Sequence, residues 1–203
     1  EIIGKPLSPY AITKYVNELY ADIFSRTWDY SKFDLFYAGA QKNMGPAGTI
    51  LVLVKEELLG KVSRSIPSML DYAVQIKGGS MFNTPPVFAV YTSLLTMRWI
   101  EEQGGLEALG TKNSIKATHL YGEIDRNSKF TGFAATKDRS EMNATFNLTD
   151  PELAESFDAL CETAGISGLK GHRSVGGYRA SIYNALPMKS VETLVDCMQI
   201  LEN

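Results

Sequence analysis

The sequence predicts an α/β chain in two parts, and three observations predict it. Thr49–Val54 is an apolar, β-branched run without polar alternation, the pattern of a strand covered on both faces. From Val87 onward the period changes, and Val90, Leu94, Leu95, Met97, Trp99 and Ile100 recur at the spacing of an amphipathic helix. Gly104 and Gly105 close that helix, and beyond them helices and strands alternate. We place the boundary near Gly104, with a compact α+β unit after it.

The elements follow in order. Pro9–Phe24 carries a helical pattern among many aromatic residues. Asp34–Tyr37 is a short apolar strand, and Ala38–Gly48 is a loop of small residues. Lys55–Lys61 reads as a short helix closed by Gly60, and Gly78–Pro86 as a loop dense in chain breakers. Leu106–Asp125 continues as a second long helix, with His119 on its surface or in its packing, and Met142–Leu148 alternates as a half-buried strand does. Asp150 and Pro151 open a helix that runs to about Ala164. Tyr178–Tyr183 is a strand, and Pro187–Leu201 a closing helix. Tyr91, Met97 and Trp99 are expected in a core stripe.

Composition narrows the function. The 203 residues carry a net charge of -3, so no basic excess supports binding through nucleic-acid phosphates. No apolar run approaches the roughly 20 residues of a membrane span. Glu1–Leu7 lacks the basic and apolar regions of a signal peptide. The two cysteines, Cys161 and Cys197, lack metal-ligand spacing and read as reduced thiols of a cytosolic protein. No acidic pair stands out for acid–base work, and no His/Cys cluster suggests a metal.

Four segments could carry chemistry. Lys42 follows a strand and sits among small residues. It is either a solvated surface cation or an amine able to attack a carbonyl, with room beside it for a flat ring. The glycines around it form no nucleotide-phosphate pattern. Gly79–Pro86 sets Asn83 and Thr84 before a helix start, as a plain capping turn or as an anion cradle. Around Gly176 and Gly177 stand His172, Arg173 and Arg179, a solvated basic loop or a pocket for carboxylate and phosphate groups. Tyr10 and Lys14 stand four apart on one helix face, either as an ordinary pair or as a tyrosine whose proton the lysine loosens.

Taken together, Tyr37–Asn43, Gly45–Gly48, Gly79–Pro86 and Lys170–Ala185 resemble, in order, the motifs of the phosphoserine aminotransferases. These are class-V aminotransferases, pyridoxal-phosphate enzymes with the aspartate-aminotransferase-like fold. The resemblance runs from about Asp22 to the end. It implies a partial pyridoxal-phosphate-binding large domain over 22–103 and a small α+β carboxy-terminal domain over 104–203. The stretch before Asp22 resembles instead the Tyr-x-x-x-Lys helix of nucleotide-sugar epimerases and is expected to be a lead-in helix over 1–21.

The resemblance also implies roles. Lys42 corresponds to the lysine that holds pyridoxal 5'-phosphate and moves the proton at the substrate α-carbon. Gln41 corresponds to a ligand of the cofactor phosphate. Asn83 and Thr84 correspond to a pair that reaches the cofactor phosphate of the neighbouring subunit, which implies a homodimer. His172 and Arg173 resemble the grip on the substrate phosphate, and Arg179 the partner of its α-carboxylate. The family's aspartate facing the pyridine nitrogen would fall, by ungapped counting, on Glu18. The implied reaction moves an amino group between glutamate and 3-phosphooxypyruvate, giving phosphoserine and 2-oxoglutarate in serine biosynthesis. Two alternatives stay open: another class-V aminotransferase or a desulfurase-like relative, which needs no phosphate grip, and a silent fragment or chimera that keeps the fold for dimerisation.

Overall fold

The computed structural model describes residues 34–171 and 176–203. The predicted helix over Pro9–Phe24, with Tyr10, Lys14 and Glu18, lies outside them, as do His172 and Arg173. The chain divides into two compact units, Glu1–Leu106 and Glu107–Asn203.

In the first unit, β1 (Leu35–Gly39) and β2 (Ile50–Val54) form an antiparallel pair, from Leu35 opposite Val54 to Gly39 opposite Ile50. Successive side chains point to opposite faces of such a pair. Phe36, Ala38, Leu51 and Leu53 share the covered face, with Leu51 buried. Tyr37 and Ile50 share the other face and are 71% and 66% exposed. This corrects the expectation that β2 is covered on both faces. Among the described residues it has one strand neighbour, and its outer face runs from exposed Ile50 to half-buried Val52 and Val54.

The segment expected as a short helix after β2 is only a 3-10 turn, Glu56–Leu58. Lys55 bonds back to Asp34 at 2.9 Å and pins the hairpin's open end. Asp71 then caps α1 (Tyr72–Lys77) by accepting from the Ala73 amide at 2.9 Å. The long helix α2 (Val87–Glu102) buries Ala89, Ser93, Leu94, Met97 and Ile100 on one side. Tyr91, expected in the core stripe, and Leu95, counted in the amphipathic spacing, are 47% and 43% exposed. At about 100° per residue Tyr91 and Leu95 centre roughly 110° round the helix from Leu94 and Met97, on its flank, so the apolar surface of α2 extends past the part that is covered.

In the second unit, α3 (Gly105–Arg126) turns Leu109, Asn113, Lys116, Ala117, Leu120, Tyr121 and Ile124 inward at intervals of three and four. His119 is exposed on its outer side. The sheet is antiparallel, in the order β3 (Phe130–Gly132), β4 (Asn143–Leu148), β5 (Tyr178–Ser181). Phe130 pairs with Leu148, and Ala144 with Ala180. Against the sheet lie α4 (Ala154–Thr163) and α5 (Met188–Glu202), whose buried residues join one core. Phe157 meets Phe130 and Tyr178 edge to face at 5.1 and 5.0 Å, and Phe146 stacks on Tyr178 at 5.5 Å. Cys161 and Cys197 are free thiols in this core, and burial pushes the Cys161 thiol up to about 12.

Two boundaries and one strand differ from expectation. Asp150 accepts from the Glu152 amide at 2.9 Å, but it opens a 3-10 turn, Pro151–Leu153, and α4 starts only afterwards. Strand β5 stops at Ser181 rather than Tyr183. The carbonyls of Ile182 and Tyr183 turn to the Lys116 ammonium, at 3.0 and 2.8 Å, and Leu186 supplies a third acceptor at 3.2 Å. Strand β3, three residues long, was not predicted, because so short a run shows no alternation.

Candidate active site

The loop between β1 and β2 carries Lys42. Gln41 bridges to Gly45, and the Met44 amide donates to the Ala40 carbonyl at 3.0 Å, so the chain turns tightly at Gln41–Met44. Lys42 occupies the left-handed region with φ 82°. For a residue with a β-carbon this conformation costs about 1–2 kcal/mol and collects at functional sites. The side chains of Gln41 and Lys42 are exposed.

The loop is seated on α2. A β-carbon at Gly45 would overlap the Ser93 hydroxyl oxygen, and one at Gly48 would stand 3.1 Å from the Ala89 β-carbon. Only glycine permits this approach. In the same unit the Asn43 Oδ1, Thr49 Oγ1 and Ser93 Oγ atoms are buried, with no hydrogen-bond partner among the described residues. Such atoms are scarce in native proteins and mark places completed by water or a ligand.

Asn83 and Thr84 stand in the loop before α2, exposed, with the Asn83 amide donating to the Thr84 carbonyl at 3.1 Å. They do not cap the helix. Pro86 holds the cap position and no side chain bonds there. The capping alternative therefore falls away, and two polar side chains are left presented beside a helix start. Ser80, at φ 63°, sharpens the turn into this loop.

The second unit holds Arg179. It lies on β5 opposite Thr145, exposed, with its backbone amide bonded to the Leu169 carbonyl at 2.7 Å. Arg179 is among the residues that line a cavity of about 300 Å³ between the 164–169 connection, the end of β5 and the first turns of α5. Upstream, Lys170 bridges to Tyr178 and the Gly171 amide donates to the Gly177 carbonyl at 2.8 Å. The Asp158 carboxylate takes the Tyr178 hydroxyl at 3.0 Å and the Lys170 ammonium at 3.3 Å. Reading the sequence missed Asp158 altogether. It stands on a helix face 20 residues from Tyr178, and nothing in its local spacing sets it apart.

The profile of the family described as "Aminotransferase class-V" matches residues 21–194. The chain belongs to the class-V aminotransferases. A phosphoserine aminotransferase of Flavobacterium johnsoniae is 65% identical over 204 aligned positions, covering 100% of this chain and 57% of the relative. That match takes in the first 21 residues as well, where we expected the likeness to begin at Asp22. Among solved structures, the phosphoserine aminotransferase of Bacillus circulans subsp. alkalophilus is 46% identical, with a TM-score of 0.80 over 89% of this chain and 50% of that one. The pyridoxal-phosphate-bound enzyme of Trichomonas vaginalis is 38% identical, with a TM-score of 0.76 over 85% of this chain and 49% of that one. The chain thus spans about half the length of the curated relatives it matches. The aspartate-aminotransferase-like, fold-type I architecture expected of this class-V chain is the one its structural neighbours share, present here in part.

Proposed function

We propose that this class-V chain takes part in pyridoxal-phosphate-dependent transamination between glutamate and 3-phosphooxypyruvate, giving phosphoserine and 2-oxoglutarate. The observation that carries the reading is the Lys42 turn: a primary amine on strained backbone, in a loop of small residues locked to α2 by Gly45. The residues fit the cofactor. Lys42 offers an amine to its aldehyde, while the exposed side chains of Gln41, Asn83 and Thr84 offer donors to a phosphate. Bound pyridoxal phosphate supplies the electron sink that lets an amino acid release its α-proton.

The chain's own residues do the rest. Lys42 holds the cofactor and moves the proton at the α-carbon. Gln41 donates to the cofactor phosphate of its own subunit, and Asn83 and Thr84 to that of a partner copy, which makes the working unit a homodimer. Arg179 binds the α-carboxylate with two parallel hydrogen bonds, as a guanidinium can. His172 and Arg173 bind the substrate phosphate and separate this reaction from those of class-V relatives that need no such grip. The two buried free thiols suit a reducing cytoplasm.

The test is covalent. Borohydride treatment in the presence of pyridoxal phosphate should fix one cofactor on the peptide that holds Lys42, and Lys42→Ala should abolish both the adduct and the bound-cofactor absorbance. An adduct that persists in Lys42→Ala overturns the assignment.

A further inference from the structure

We propose that Ser93 is a positioning residue for Lys42: its side chain is the floor of the Lys42 turn, and its hydroxyl is left unpaired in α2 for that turn. This rests on the reading of Lys42 as the residue that holds the cofactor, and it adds a residue outside the motifs.

The contact is direct. A β-carbon at Gly45 would overlap the Ser93 hydroxyl oxygen and would stand 3.0 and 3.1 Å from the Ser93 α- and β-carbons. Gly45 therefore rests on this one residue with no space between them. Gly48 meets Ala89 in the same way, at 3.1 Å. Ala89 and Ser93 are four apart, so they stand one above the other on one face of α2. The loop has two footholds one helical turn apart, and the one at Ser93 is nearer Lys42 in the chain. The bridge from Gln41 to Gly45 and the bond from the Met44 amide to the Ala40 carbonyl close the turn around Lys42. A shift of Gly45 is thus passed to Lys42, whose backbone at φ 82° stays there only while its surroundings hold it.

The hydroxyl is the second observation. Ser93 is 0% exposed, and its Oγ has no hydrogen-bond partner among the described residues. Other hydroxyls of the same helix behave differently. Thr92 donates to the Phe88 and Ala89 carbonyls at 2.8 and 3.1 Å, and Thr96 to the Thr92 carbonyl at 3.0 Å. Such bonding back to the preceding turn is open to any serine or threonine inside a helix, and Ser93 does not use it. A buried unpaired hydroxyl destabilises, and alanine is the better helix former at such a place. Departures of this kind from the most stable choice collect at functional sites. Asn43, next to Lys42 and two residues before Gly45, carries an acceptor suited to that donor, since its Oδ1 is also buried without a partner among the described residues.

The experiment is absorbance titration of the full chain with pyridoxal 5'-phosphate, alongside thermal melting without it. Ser93→Ala removes the unpaired hydroxyl and with it part of the floor. The variant should melt at a higher temperature than the wild type and yet bind the cofactor about tenfold more weakly, with a shifted pH midpoint of the bound-cofactor absorbance. A merely structural role moves stability and affinity in the same direction. Ser93→Val puts methyl groups where Gly45 leaves no room, so it should weaken binding at least as much while lowering the melting temperature. Thr96→Ala removes a hydroxyl that is bonded within α2, and its cofactor affinity should stay within about twofold of the wild type. Ser93→Ala carries the test alone if Ser93→Val does not fold. Wild-type affinity and absorbance in Ser93→Ala, or a loss of affinity together with a lower melting temperature, overturns the positioning role and leaves the Lys42 reading standing. A wild-type chain that takes up no cofactor, or takes it up without a borohydride-fixed adduct on Lys42, overturns the Lys42 reading and this inference with it.

Discussion

Glu123 shows how a single buried charge is made tolerable. It is 5% exposed, and burial by itself would raise its carboxyl; hydrogen bonds from Arg126, Asn127 and Gln199 outweigh burial and hold it below the usual range. Its contacts join α3 to α5, since Gln199 donates to it at 3.2 Å and Asn127 donates both to it and to the Met198 carbonyl. A carboxyl depressed in the folded state stabilises above its unfolded value and loses that contribution as pH falls through the folded one. Glu123→Gln should therefore cost about 1.5–3 kcal/mol near neutral pH, read from urea midpoints. The difference from wild type should shrink as pH falls below the ordinary carboxylate range, and an equal cost at both ends refutes the ionic role. At the proposed site, two arginines are asked for different things. Arg179→Ala should damage phosphoserine and glutamate alike, by roughly ten- to a hundredfold in kcat/KM. Arg173→Ala should harm phosphoserine far more than glutamate. Single-turnover conversion of each amino acid decides it, and equal losses in Arg173→Ala favour an aminotransferase without a phosphate grip.

At the scale of elements, the Lys42 loop owes its shape to what it sits on. Gly45, at φ 150°, approaches Ser93 so closely that a methyl group has no place. Gly45→Ala should cost about 1–3 kcal/mol, the range for overpacking a tight contact, and should lower cofactor affinity along with the thermal midpoint of the first unit. An unchanged midpoint refutes the claim that α2 sets the loop. Much of this was legible beforehand. Helix α2 follows from periodicity, β1 from a short apolar run and α3 from the helix that resumes after Gly104 and Gly105, and the Lys42, Asn83 and Arg179 segments were legible as contiguous motifs. The missing parts depend on contacts between distant residues. The three residues of β3 take their state from β4, the end of β5 is set by a lysine on α3, and the Asp158 tie acts between residues far apart in the chain. The outer face of α2 shows the converse. Its apolar residues predict burial correctly for Leu94 and Met97 and wrongly for Tyr91, because periodicity tells which residues are apolar and not whether a neighbour is present to cover them.

That outer face bears on the whole molecule. Phe88, Tyr91 and Leu95 recur at intervals of three and four on one side of α2, 76%, 47% and 43% exposed. Contiguous apolar stripes of this kind mark interaction surfaces on soluble proteins. They begin immediately after the loop of Asn83 and Thr84, the residues proposed to reach a neighbouring copy. A second chain seated on the stripe would cover it and bring that copy next to the same loop. The net charge of -3 sets little repulsion against such pairing. Light scattering at micromolar concentration should then give a mass near twice 22.4 kDa. Phe88→Lys places a charge at the first and most exposed residue of the stripe, one that contributes little to its own unit's core, so it should shift the chain toward monomer with a thermal midpoint close to that of the wild type. It should also weaken cofactor binding if Asn83 and Thr84 act across the pair. A wild-type chain that stays monomeric while it binds pyridoxal phosphate at full occupancy would remove the cross-subunit role and leave Asn83 and Thr84 without the partner assigned to them.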